Sequence, residues 1–136
     1  MALLSSFGKY KDLGLLLMRI GLGLFFITIH GFPKLAGGPE MWAGVGSAMS
    51  NINIHFFPTF WGFMAALAEG LGGLFLLLGL FYRPTCIFLL FTMIMAGIYH
   101  LSAGDGMATA SRAFEMAVVF FGLMFVGPGK YSLDKR

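Results

Sequence analysis

The chain reads as an all-α integral membrane protein: a four-helix bundle with a short amphipathic interfacial helix between spans one and two. Three observations predict this. Only 11% of the 136 residues are charged and 58% are hydrophobic, about half the charge that a soluble surface of this size carries. The apolar residues gather in four runs, each close to the ~20 residues that a helix needs to cross a hydrocarbon core. The connections between runs are too short for a further folded unit, so residues 1–136 are read as a single transmembrane domain.

The first span is expected over about 13–31, with Asp12 capping its start and Pro33 opposing regular continuation. Arg19 interrupts its apolar run and no small-x-small site follows, so the segment reads as a retained helix rather than a signal peptide. Pro39-Glu40 then resembles a helix start, and Met41, Trp42, Val45 and Met49 fall on one side of a segment ending near Asn51. That pattern predicts a helix lying along the membrane interface. The second span is expected over 58–81, stopping at Tyr82-Arg83-Pro84, and the third over 85–101, antiparallel to it. SAGDG breaks the chain before a fourth span over 107–126, which Gly127-Pro128-Gly129 ends.

The net charge of +3 is spread over helix flanks rather than gathered in a patch, which argues against nucleic acid as a partner. Lys9, Lys11, Arg83, Lys130, Lys135 and Arg136 fall on one side of the membrane, against Lys34 and Arg112 on the other, so both termini are expected to be cytoplasmic. The single cysteine, Cys86, lies in an apolar run and excludes an intramolecular disulfide or a thiolate cage. It is read as a packing residue.

Helical spacing places Arg19, Gly23, Ile27, His30 and Lys34 on one face of span one. Gly62, Ala66, Glu69 and Gly73 share a face of span two, so Glu69 is expected within a strip of small residues that faces protein. Met93, Ala96 and His100 share a face of span three, and Arg112, Glu115, Val119 and Gly122 a face of span four. At ~1.5 Å of rise per residue, Glu69 and Glu115 lie roughly 12–16 Å into the membrane, with His30, His100 and Arg112 within about two turns of one surface. The polar faces can therefore converge into one cluster.

A charge at such depth costs at least ~2.5–3.5 kcal/mol and demands a partner or a function. The spacing suggests Arg112 with Glu115 as a local pair, and Arg19 or His30 as the group that neutralises Glu69. A purely structural hydrogen-bonded Glu69 stands beside a functional one. No H-x3-H or H-E-x-x-H spacing supports a metal, and the many Phe and Met residues read as packing.

The strings LLMRIGLGLFFITIHGFPKL, AEGLGGLFLLLGLFYRP and RAFEMAVVFFGLMFVGPGKYSLD resemble, together and in order, the DoxX family of small bacterial membrane proteins. The resemblance implies a four-helix bundle of the bacterial inner membrane, related to a subunit of a thiosulfate:quinone oxidoreductase. It carries over Arg19, His30, Lys34, Glu69, Arg83 and Glu115. The absence of a cysteine pair weighs against thiol exchange.

Two readings follow. In the first, a quinone or small carbonyl compound enters the bundle as part of a redox-linked complex with a partner enzyme. Arg19, His30, Lys34, His100 and Arg112 are then the ligand-binding candidates, with Glu69 and Glu115 as catalytic proton carriers. No covalent cofactor and no metal are expected, and the chain could also self-associate as a homo-oligomer. In the second reading the chain is a non-catalytic membrane anchor or assembly factor, whose buried ion pairs fix helix register while an enzyme docks on residues 39–51. A cavity lined by Glu69, His30 and Arg112 favours the first, and mutual satisfaction of these groups without a void favours the second.

Overall fold

A computed structural model describes residues 3–134, so Lys135 and Arg136 lie outside the described residues. The described residues contain helices and connecting turns only. Four segments are long and apolar enough to cross a membrane: Ser5–Ala36, Pro58–Leu78, Tyr82–Ser102 and Met107–Val126. The chain is an all-α integral membrane protein.

Span one begins with a 3-10 turn, Ser5–Tyr10, and continues through α1 (Lys11–Phe25), a π-helical turn (Phe26–Gly31) and α2 (Phe32–Ala36). The helix therefore passes Pro33. In a regular helix the Pro33 ring would meet the Ile29 carbonyl. The wider π turn contains that carbonyl and relieves the clash.

After Gly37 come α3 (Gly38–Gly46) and a 3-10 turn, Ser47–Ile52. α4 (Pro58–Leu78) ends at Gly79, whose φ of 67° supplies the left-handed turn that glycine adopts without strain. α5 (Tyr82–Ser102) starts before Pro84, because a proline in the first helical turn withholds no N–H that the helix needs. α6 (Met107–Val126) completes the bundle.

α1 and α3 both run antiparallel along α4, and glycines set how closely they approach. A Cβ on Gly31 would overlap the Gly70 backbone, and one on Gly46 the Pro58 carbonyl. One on Gly62 would overlap Trp42. Removing side chains at these crossings lets backbone meet backbone, which is how membrane helices gain van der Waals contact when lipid removes the hydrophobic incentive. Trp42 stacks beside Phe63, with ring centres 4.8 Å apart.

The core lies where α1, α4, α5 and α6 converge. It holds Phe26, Leu76, Tyr82, Cys86, Leu89 and Phe120, with Phe26 and Phe120 edge-to-face at 5.4 Å. Cys86 is fully buried and packs as a small hydrophobe. A second cluster of Ala48, Met49 and Met95 fastens the 3-10 turn after α3 to α5.

Both ends of the described chain meet at one end of the bundle, called here the terminal end. Residues 127–134 fold back across it. The Leu133 and Asp134 amides donate to the Leu78 and Gly79 carbonyls. The Asp134 carboxylate in return accepts from the Phe81 and Tyr82 amides, both at 2.8 Å. A residue 52 positions away thus caps α5.

Candidate ligand site

Glu69 sits near the middle of α4, about 15 Å from either helix end at ~1.5 Å per residue. It is 2% exposed. Lys34, on the last turns of span one, reaches it with Nζ 2.9 Å from Oε1 and 2.8 Å from Oε2. The ammonium is thus shared between both carboxylate oxygens. Lys34 is held in turn by its backbone: its carbonyl accepts the Trp42 indole N–H at 2.8 Å. That bond ties α3 to the end of α2 and fixes the root of the lysine.

The π turn explains why His30 does not meet Glu69. Regular spacing aligns Arg19, Gly23, Ile27, His30 and Lys34, but a π turn inserts extra backbone and shifts the face at His30 by one position. Gly31 therefore occupies the α4-facing position and is buried, while His30 is exposed and rests on the Phe26 ring at 5.3 Å. Lys34 stays on the α4 side, where its spacing places it.

The pair opens onto a groove of about 960 Å³ between α3, α4 and α5, walled by apolar side chains. Small residues on α4, among them Ala65, Ala68 and Gly72, leave the space, and Trp61, Met95 and Tyr99 line it toward the distal end, opposite the termini. Its rim residues Phe60, Met64, Phe88 and Phe91 are exposed, so the groove opens sideways to lipid. His100 also lines it, and its Nδ1 lies 2.8 Å from Asp105 Oδ2. The ionisable groups of this largely apolar trough are therefore few: the ammonium and carboxylate of the pair and, further along the wall, the His100 imidazole and the Tyr99 phenol; the Thr85 and Thr92 hydroxyls line it as well.

The remaining predicted residues stand elsewhere. Arg19 is 2% exposed but does not approach Glu69. Its guanidinium donates to four carbonyls at the terminal end: Leu76 at 3.1 Å, Pro128 at 2.9 Å, Leu77 at 3.2 Å and Tyr131 at 2.7 Å. These are the orphan carbonyls of the end of α4 and of the returning tail, and the planar five-donor fork of arginine satisfies them together. Arg112 and Glu115 are exposed on α6 and outside the groove. Among the described residues the ion pairs are Lys34–Glu69 and His100–Asp105, so the expected Arg112–Glu115 pair does not form. Arg83 donates to the Met124 carbonyl at 3.0 Å, closing the C-terminal end of α6.

The structure thus pairs Lys34 with Glu69, sets His100 on the wall of the same groove toward its distal end, and leaves Arg19, His30, Arg112 and Glu115 outside it. Trp42 and Asp105 are additions. Asp105 lies five residues beyond His100, a separation that a reading restricted to helix faces passes over because a turn intervenes. Among the described residues no group of three His, Cys, Asp or Glu side chains could hold a metal ion.

Fold and site together define a small helical membrane protein with a charged pair in a lipid-open groove. Comparison with known proteins places it further: the chain belongs to the DoxX family, whose model matches residues 14–102. It is 31% identical over 130 residues to the inner membrane protein YqjF of Escherichia coli (strain K12), covering 93% of this chain and 94% of that one. It is 30% identical over 139 residues to the inner membrane protein YphA of the same organism, covering 96% and 95%. No solved structure matches significantly.

Proposed function

We propose that the protein binds a lipophilic carbonyl compound of the quinone class in the groove, as the membrane subunit of a redox-linked complex. The observation that carries this reading is the Lys34–Glu69 pair in a trough of about 960 Å³ that is largely apolar and open to lipid. A ring with an isoprenoid tail suits such a space, the tail leaving between Phe88 and Phe91. Lys34 donates a hydrogen bond to a carbonyl oxygen, and Glu69, relieved of part of its pairing, holds or yields a proton at the same position. His100, with Asp105 beside it, supplies a further hydrogen-bonding group toward the distal end of the groove. Electrons come from a partner enzyme.

The anchor reading keeps one specific observation in its favour: the two charges already satisfy each other at 2.8 Å. One experiment separates the two. The protein is extracted in mild detergent, and the co-purifying small molecules are analysed by mass spectrometry and ultraviolet absorption beside Glu69→Gln. A stoichiometric quinone lost in the variant supports the ligand site. A wild-type protein without quinone, paired with a variant that is merely less stable, establishes the pair as structural.

The flanking charges support an orientation as well. Lys9, Lys11, Arg83 and Lys130 lie at the terminal end, which we assign to the cytoplasm, so His100 lies toward the opposite compartment.

A further inference from the structure

A threonine in a membrane helix commonly turns its hydroxyl back onto the carbonyl one turn earlier, because hydrocarbon offers it no other acceptor. Thr28 does so onto Leu24 at 2.7 Å, and Thr92 onto Phe88 at 2.8 Å. Thr85 does not. It is 5% exposed and lines the groove, yet its hydroxyl bonds to nothing among the described residues. No fully enclosed side-chain oxygen among those residues lacks a partner, so the free Thr85 oxygen is open to the space that the residue lines. Gly72 of α4, also on the groove, stands opposite. A Cβ there would lie 3.5 Å from Thr85 Cγ2 and 3.6 Å from the Leu89 methyls. Those are ordinary contact distances, unlike the backbone overlaps at Gly31, Gly46 and Gly62. The missing side chain at Gly72 therefore leaves room beside the hydroxyl instead of admitting another backbone. Glu69 precedes Gly72 by three residues on the same side of α4, about 4.5 Å along the axis at ~1.5 Å per residue.

We infer that Thr85 is a second hydrogen-bond donor to the ligand and Gly72 the floor between the two donors, an assignment that rests on the groove holding the carbonyl compound proposed above. Lys34 donates to one oxygen of a ring lying against Gly72, and the Thr85 hydroxyl donates to an oxygen on the far side of the same ring. The site then selects a compact dicarbonyl ring over a lipid with a single carbonyl, because only the ring uses both donors. A hydroxyl facing an apolar space without a partner is costly, and a ligand that fails to satisfy it forgoes that gain.

Binding of a benzoquinone with a decyl tail to the full chain in lipid nanodiscs tests it, beside a decyl ketone that has one carbonyl. Thr85→Val keeps the shape and removes the hydroxyl; it should weaken quinone binding about tenfold, the worth of one hydrogen bond, and leave the ketone as before. Thr85→Ser should retain the wild-type affinity. Gly72→Ala should also weaken the quinone, through the methyl group that fills the floor, in a chain that still folds because its new contacts are at van der Waals distance. Without ligand, Thr85→Val should melt no lower than the wild type, since no bond within the protein is lost. A wild-type chain that does not bind the quinone removes the ligand reading and this inference with it. Wild-type binding that Thr85→Val leaves unchanged, or weakens equally for quinone and ketone, overturns the role of Thr85 alone. So does a ligand-free Thr85→Val chain that melts lower.

Discussion

Glu69 and Lys34 illustrate what a charge inside a membrane requires. Each alone would be expelled or neutralised, and together, with the amine shared between both oxygens at 2.8 and 2.9 Å, they are tolerated. Replacing one member therefore costs more than replacing both. Glu69→Gln should destabilise the bundle by about 3 kcal/mol, because it leaves the ammonium against apolar walls. Lys34→Met combined with Glu69→Gln should recover most of that loss, as read by thermal unfolding in detergent. If the double variant is no better than the single, the pair does not act as a unit. Arg19 makes a contrasting case, since its charge is spent on four carbonyls rather than on an anion. Arg19→Lys should release residues 127–134, seen as faster amide exchange at Leu133 and Asp134, because three rotatable donors on one nitrogen cannot span carbonyls from two segments. Unchanged exchange there would show that the tail is held by its own backbone bonds. Both arginine and glutamate stand out in the sequence as intramembrane charges; which groups they would meet does not, because neither partner lies on the same helix.

Elements in this bundle are placed by what they lack. Gly31, Gly46 and Gly62 carry no side chain where α4 is crossed, and a methyl group at Gly46 would overlap the Pro58 carbonyl. Gly46→Ala should push α3 off α4 at a cost of about 1–3 kcal/mol and loosen the Trp42–Lys34 bond with it. Trp42 fluorescence should then shift and broaden, whereas Gly44→Ala, which has open space around it, should leave the spectrum alone. The π turn over Phe26–Gly31 has a larger consequence than any single contact, for it turns His30 out of the site and sets the glycine at position 31 against α4. Regular spacing locates the four spans and their glycine-lined faces well. It fails at His30, though not at Lys34, because a period of 3.6 cannot anticipate a turn of wider pitch that Pro33 makes favourable.

At the scale of the molecule, the terminal end is knitted and the distal end is open. Arg19, Asp134 and Arg83 join α4, α5, α6 and the tail at the first, while the groove reaches Tyr99 and His100 at the second. Motion on ligand entry is therefore expected in α3 and the distal half of α5, with the terminal end fixed. Hydrogen exchange should be faster at Met41–Asn51 than at Leu76–Cys86. The charge distribution sets a further outcome: a fluorescent protein fused after residue 136 should fold in the cytoplasm and glow, whereas a periplasm-dependent phosphatase at the same place should be inactive. The reverse pattern would invert the assigned orientation and set His100 toward the other compartment.

Membrane residence, four spans and family were determined by the linear chain itself, because apolar run length and the residues that end a helix are local properties that lipid reads directly. The strip of small residues around Glu69 was visible for the same reason. Partnership was not. Lys34 with Glu69, Arg19 with the carbonyls of the tail, and the outward turn of Arg112 and Glu115 each depend on helix rotation and crossing, which backbone contacts between distant glycines and one π turn decide. Only the packed bundle could convert seven candidate charges into one site, one fastening and one exposed face.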